Sequence, residues 1–190
     1  MKWNDHSKFK GTHAFLGASN FTWLADDKEK LKKRYLASLA KQRGTELHAL
    51  AAEMIRLRQH APVTTRSFDQ YVNDAIAYDL DSEVMLWYSD NAFGTADAIG
   101  YNERKKILRI QDLKTGKTPV HMEQLYCYAA LFCLEYHFKP GTINIETVLY
   151  YNDEPPMIEH PQADLIVPIM DKFITGDKII RETKEELRIK

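Results

Sequence analysis

Long apolar runs are missing from this chain of 190 residues. No stretch approaches the roughly 20 apolar residues that a membrane-spanning helix requires, so no membrane partner is expected. The opening segment Met1-Lys2-Trp3-Asn4-Asp5-His6 has no apolar core of a secretory signal, which points to the cytoplasm. Cysteine is scarce: Cys127 and Cys133 are the two. Alone they cannot complete a four-cysteine zinc or iron–sulfur site. Both lie in an apolar pattern from 126 to 138, where buried thiols are expected. Net charge is nearly absent as well, 26 Lys and Arg against 27 Asp and Glu, so the molecule as a whole does not attract nucleic acid. The basic residues are nevertheless unevenly placed. Lys28, Lys30, Lys32, Lys33, Arg34, Lys41 and Arg43 crowd one segment, which reads as a solvated helix face or as a phosphate-facing patch.

What is present is the composition of a soluble globular protein, with 44% hydrophobic and 28% charged residues. The length suits one domain over residues 1–190, and no repeat or linker divides it. Ser19 can cap a short helix over 20–25, and a longer helix fits 28–43. Gly44 interrupts or restarts it before a strong helical pattern over 45–60, where Leu47, Leu50, Ala51, Met54 and Leu57 recur at three- and four-residue steps. Residues 67–80 make a third helix. The period then changes to strands: 84–88, a turn at Asn91-Ala92-Phe93-Gly94, then 95–101 and 107–113. A long apolar helix over 121–138 is stopped by Pro140-Gly141. A strand over 143–151, a loop at Glu154-Pro155-Pro156, an amphipathic helix over 162–175 and a charged tail complete the chain. The order predicts an α/β (α+β) fold with a small central mixed sheet flanked by helices.

Within that frame, Asp112 and Lys114 in Gln111-Asp112-Leu113-Lys114 project to the same side of a strand. An acid and a lysine so placed can hold a divalent cation and stabilise charge on an attacked phosphate; alone, they also describe an edge-strand ion pair. Asp97 stands on the preceding strand, and a hairpin would bring it beside Asp112. Two such carboxylates repel unless a cation or proton lies between them, and a hard cation such as Mg²⁺ takes oxygen ligands. His48 lies on the apolar side of its helix. It is a core histidine or, if it faces the hairpin, a ligand. Gln124 and Tyr128 share a helix face and either pack or donate to a phosphate. Gly116-Lys117-Thr118 imitates the end of a P-loop, but the glycine that motif needs five residues before Gly116 is Gln111 here.

Taken in order, His48, Gly94-x-x-Asp97, Asp112-Leu113-Lys114-Thr115-Gly116 and Gln124-x-x-x-Tyr128 resemble the RecB-like, lambda-exonuclease-like branch of the PD-(D/E)XK nuclease superfamily. The resemblance covers about 18–151, and Ser19-Asn20-Phe21-Thr22-Trp23-Leu24 resembles the family's Ser-containing helix start. It implies a restriction-endonuclease-like core. His48, Asp97 and Asp112, with the Leu113 backbone carbonyl, would hold one or two Mg²⁺ or Mn²⁺ ions, and Lys114 would act in catalysis with Asp97 and Asp112. Gln124, Tyr128, Lys117 and Ser19 would contact DNA, with Lys105 and Lys106 along its path. Glu83 sits where some relatives carry an acid. Many relatives add four cysteines around an iron–sulfur cluster; this chain has no such set, and the cluster-free form is expected. The implied activity is metal-dependent DNA exonuclease action in phage or mobile-element recombination. A single-strand annealing protein and further copies of the chain are the partners that setting suggests. The alternative is a catalytically weak DNA-binding or recombination-partner protein on the same fold.

Overall fold

The computed structural model describes residues 3–116 and 121–188. The chain divides into two compact units, one ending at Arg43 and one starting at Gly44. In the first, 3-10 turns at Ser7–Phe9 and Phe21–Ala25 precede the start of helix α1 (Lys28–Arg56). Asn20, not Ser19, is the residue before the second turn, and it makes no side-chain cap. Trp23 Nε1 donates to the Gly17 carbonyl at 3.1 Å, and Phe15 meets Tyr35 edge to face at 5.1 Å. Two cations of the basic run, Lys30 and Arg34, are held by Asp26 at 2.9 and 2.6 Å.

The second unit is a mixed α/β fold. Its five strands are β1 (Asp81–Ser89), β2 (Ala92–Asn102), β3 (Ile107–Lys114), β4 (Asn144–Tyr151) and β5 (Met157–Glu159), ordered β1-β2-β3-β4-β5. The first three form an antiparallel meander; β4 runs parallel to β3, and β5 returns antiparallel. Helix α3 (Glu123–Glu135) makes the crossover between the parallel pair, as such a pair requires. Central strand β3 is buried on both faces. Leu108 and Ile110 join Leu125, Ala129 and Ile166 in one core, beneath α3 and helix α4 (Ala163–Glu186). Leu113 joins Ala51, Ile55, Val72 and Val148 in the other, beneath α1 and helix α2 (Ser67–Ala77). Cys133 is buried and Cys127 half-buried, both free. Among the described residues no helix is long and apolar enough to cross a membrane.

Several boundaries differ from those the sequence pattern predicts. The chain turns at Asp90-Asn91, and Gly94 lies inside β2. A side chain at Gly94 would come within 3.1 Å of the Tyr128 ring, so the glycine admits the ring and not a turn. Helix α1 does not break at Gly44 but continues to Arg56, short of residue 60. A Cβ at Gly44 would fall 2.6 Å from Thr115 Oγ1, so a residue that normally weakens a helix is here the one that lets the loop after β3 lie against it. The short β5 follows the Pro155-Pro156 loop unannounced, and α4 absorbs the charged tail through Glu186. At the hairpin tip, buried Asp177 of α4 accepts from Ser89 Oγ at 2.6 Å and Asn91 Nδ2 at 2.9 Å. On the outer edge of β1, the Trp87 N–H donates to Glu135 Oε2 at 2.8 Å.

The meander also carries an irregularity that re-aims two acidic side chains. In an unbroken strand, residues two apart share a face. Gly94 and Ala96 of β2 face α3, whereas Ala98 packs in the other core and Gly100 abuts Leu80. On β1, Val84 and Leu86 pack beneath α3, while Ser82 Oγ bonds the Ala52 carbonyl of α1 at 3.0 Å. Both strands therefore exchange faces, β1 at Glu83 and β2 at Asp97. The register Ser82↔Ala98 and Val84↔Ala96 sets these two positions opposite each other. Glu83 adopts φ +54°, a left-handed conformation uncommon for a non-glycine residue.

Candidate functional site

The exchange of faces turns Asp97 away from a single side of the sheet. It reaches His48 of α1 on one side and the backbone of β3 on the other: Asp97 Oδ2 lies 3.1 Å from His48 Nδ1 and accepts from the Leu113 N–H at 3.5 Å. The ladder between β2 and β3 runs from Asn102↔Ile107 to Ala98↔Gln111. The next positions along, Asp97 and Asp112, stand where the two strands part. On its other side β3 remains paired with β4 as far as Lys114↔Tyr151.

Asp112 shares the parity of Leu108 and Ile110, so it faces α3, and it is 1% exposed. Lys114 Nζ donates to Asp112 Oδ1 at 3.1 Å and to Gln124 Oε1 at 2.7 Å; Gln124 Nε2 in turn donates to Tyr128 Oη at 3.0 Å. Asp112 Oδ2 is 2.9 Å from the same ammonium, but out of hydrogen-bonding alignment, and has no hydrogen-bond partner among the described residues. Burial and the Asp97 charge raise the Asp112 carboxyl above its ordinary pKa, against the pull of Lys114 and His48. Burial, then Asp97, raise Glu83 in the same way. Burial pushes the Tyr71 phenol well up, and the charges of Asp97, Asp112 and Glu83 push it further. Three carboxylates thus share one field in a partly desolvated place, at a stability cost that a cation would offset.

The His48 imidazole is shifted upward by its hydrogen bond to Asp97, against the opposing effect of burial. A group raised in the folded state stabilises below its unfolded pKa, and that stability is lost as pH rises through the folded value. In EDTA the protein should therefore lose thermal stability more steeply than His48→Gln as pH rises from about 6.5. Were His48 to ligate Mn²⁺, that affinity would move the opposite way and strengthen over the same pH range, since a ligand histidine must be neutral. Melting curves in EDTA and calorimetric titrations across that range check both signs; parallel curves for wild type and variant would remove His48 from the linkage.

The structure thus brings together His48, Asp97, Asp112, the Leu113 backbone, Lys114, Gln124 and Tyr128. Ser19 lies in the unit that ends at Arg43 and is described there alone, and Lys117 lies outside the described residues. Glu83 belongs to the cluster through a strand that begins three residues earlier than its apolar pattern suggests. Thr115, pressed on Gly44, escapes a reading of the sequence because nothing local to either residue marks the contact.

An oxygen-rich donor set, with an imidazole and a buried carboxylate oxygen left without a hydrogen bond, suits Mg²⁺ or Mn²⁺ in chemistry. In arrangement it is paired off: Lys114 occupies Asp112 and His48 occupies Asp97. Among the described residues no three of His, Cys, Asp and Glu stand close enough to hold an ion as they are. A cation held there would have to draw Asp112 away from Lys114. No family model matches the chain, and no curated protein does.

Proposed function

We propose that the chain is a divalent-cation-dependent DNA nuclease of the PD-(D/E)XK type, in its RecB-like branch, with the five-stranded sheet as a restriction-endonuclease-like core. The observation that carries this reading is the meeting of Asp97, Asp112 and Lys114 at the parting of β2 and β3, with Gln124 gripping the lysine from α3.

His48, Asp97 and Asp112, with the Leu113 carbonyl, would hold Mg²⁺ or Mn²⁺, which supplies a Lewis acid that acidifies water and neutralises phosphoryl charge. The side chains do the rest. Once drawn off Asp112, the Lys114 ammonium is free to donate to a non-bridging phosphate oxygen as negative charge grows there. Gln124 keeps its amine from swinging into solvent, and Tyr128 fixes which way the Gln124 amide faces. Water adds to phosphorus in line with the departing 3′ oxygen; the P–O3′ bond breaks, the water proton passes to solvent and the alkoxide gains one. The products are a 5′-phosphate and a 3′-hydroxyl.

The test is digestion of end-labelled linear and closed circular DNA with Mg²⁺, Mn²⁺ or EDTA, by wild type and Lys114→Ala. Wild type should degrade linear DNA only with the cation, and the variant should be slower by about a hundredfold or more. Cutting of circles would make the activity endonucleolytic. Equal cleavage by a clean Lys114→Ala preparation would overturn the assignment. DNA binding by both proteins with no cleavage by either would favour a non-catalytic recombination partner.

A further inference from the structure

Among the described residues three tyrosines are buried: Tyr71, Tyr126 and Tyr150. Buried phenols usually find a hydrogen-bond partner, and two of these do. Tyr126 Oη donates to Glu159, and Tyr150 Oη donates to Asp74 Oδ2 at 2.6 Å. Tyr71 of α2 is 2% exposed, yet its hydroxyl has no hydrogen-bond partner among the described residues. The ring is accounted for, since it meets Tyr150 edge to face at 5.6 Å. The hydroxyl is not. Withdrawn from water without a partner, it is a cost to a core that a phenyl ring would fill as well.

The place of the ring points to the partner. Tyr71 shares a core with Ala51, Ala98 and Leu113. Ala51 stands about one turn after His48 on α1, Ala98 follows Asp97 on β2, and Leu113 follows Asp112 on β3 and donates its N–H to Asp97. Asp112 faces α3, away from this core, whereas Asp97 is turned toward α1. Asp97 meets both His48 and the Leu113 N–H through Oδ2, and Oδ1 has no hydrogen bond among the described residues. Burial and the charges of the three carboxylates, Asp97 foremost, keep the phenol protonated and so able to donate. We propose that Tyr71 is a positioning residue of the cation centre: when a cation parts His48 from Asp97, the Tyr71 hydroxyl replaces His48 as hydrogen-bond donor to Asp97 and sets the direction in which that carboxylate faces. This rests on the reading of His48 and Asp97 as cation ligands, and not on DNA as the substrate. Carboxylates that ligate a metal are themselves held by hydrogen bonds, and losing such a bond commonly costs about tenfold to a hundredfold in metal affinity.

The test compares Tyr71→Phe and Tyr150→Phe with wild type, by calorimetric titration with Mn²⁺ and by melting curves in EDTA. Both variants keep the ring. In EDTA His48 still holds Asp97, so Tyr71→Phe should melt no lower than wild type, while its Mn²⁺ affinity falls at least about tenfold. Tyr150→Phe, which removes the bond to Asp74, should do the reverse, with a lower melting temperature and unchanged Mn²⁺ affinity. Wild-type affinity in Tyr71→Phe would overturn the inference and leave the nuclease reading intact. So would an equal loss of affinity in both variants, the mark of a loosened core. A wild-type protein that binds no Mn²⁺ would overturn both. The titration needs no DNA, so failed digestion by a protein whose Mn²⁺ affinity depends on Tyr71 would sink the nuclease reading alone. If digestion succeeds, Tyr71→Phe should need at least about tenfold more Mn²⁺ for its half-maximal rate, with KM for DNA unchanged; a raised KM at the wild-type Mn²⁺ requirement would overturn the inference.

Discussion

Asp112→Asn is expected to abolish cleavage and to raise the melting temperature. The two effects have one cause. Asp112 is a carboxylate almost wholly removed from water, one oxygen of which has no hydrogen bond among the described residues. Burial and Asp97 together make its charged form unfavourable in the fold despite the Lys114 ion pair. A raised pKa in the folded state means that stability is present below the unfolded value, about 3.9, and is lost as pH rises through the folded value. At neutral pH the charge is therefore a cost, and the isosteric neutral amide removes it. Relief of such a functional cost commonly contributes about 1 kcal/mol, or about 2–4 °C in a chain of this size. In the proposed nuclease, cleavage should fall at least about a hundredfold, since the anionic oxygens are what a bound cation and the lysine would need. Differential scanning calorimetry in EDTA at pH 7.5 and at pH 4 reads the prediction. The gain should be larger at the first than at the second, where protonation of the wild-type carboxyl relieves part of the cost. A lower melting temperature at pH 7.5 would mean that Asp112 is chiefly the anchor of Lys114.

Gly44→Ala should act with the opposite sign to its helix propensity. In an exposed helix interior the change gains about 1 kcal/mol. Here the new methyl would stand 2.6 Å from Thr115 Oγ1 but an ordinary 3.8 Å from Thr115 Cβ. Thr115 has to give way, and it is the residue immediately after Lys114. Misplacement of a catalytic group by about 1 Å can cost about a hundredfold in rate, so turnover should drop at least about tenfold with DNA affinity little changed. The clash involves the hydroxyl alone. Thr115→Ala in the same chain should restore turnover and release the helix gain, making the double variant more stable than wild type. Single-turnover rates and melting curves for the two single variants and the pair make the cycle. If Gly44→Ala alone is stabilised and fully active, the loop is not held by that contact.

The parts of this molecule that are legible in its sequence are those whose cause is local. The alternation around Asp97 and Asp112, the helical period over Leu47–Leu57 and the shared face of Gln124 and Tyr128 place the main elements and bring the lysine, its amide partner and two acids to one strand end. Gly44 and Gly94 mislead because glycine marks both a turn and a close approach, and only the partner, Thr115 or Tyr128, tells which. Glu83 is tied to the strand pair only by resemblance, because a change of face leaves no pattern: apolar residues at 84, 86, 96 and 99 look like alternation that slips. The pairing of His48 with Asp97, rather than with a cation, follows from charge balance across two elements distant in the chain. Lys30 and Arg34, which read as a surface for phosphate, are bound to Asp26, a partner a few residues away on the preceding turn.

The carboxylate of Glu135 on the outer edge of β1 has a consequence for how the molecule behaves in a crowded solution. An outermost strand with free amides is a template on which a second chain can add a strand. This one would be an inviting template, because Met85, Trp87 and Phe93 on the same hairpin are largely open to water. By occupying the Trp87 amide, Glu135 removes one hydrogen bond from any incoming strand and leaves a negative charge in its path. The register irregularity between Trp87 and Ser89 bends the edge just beyond. One helix side chain thus helps keep a sticky hairpin from nucleating intermolecular sheets.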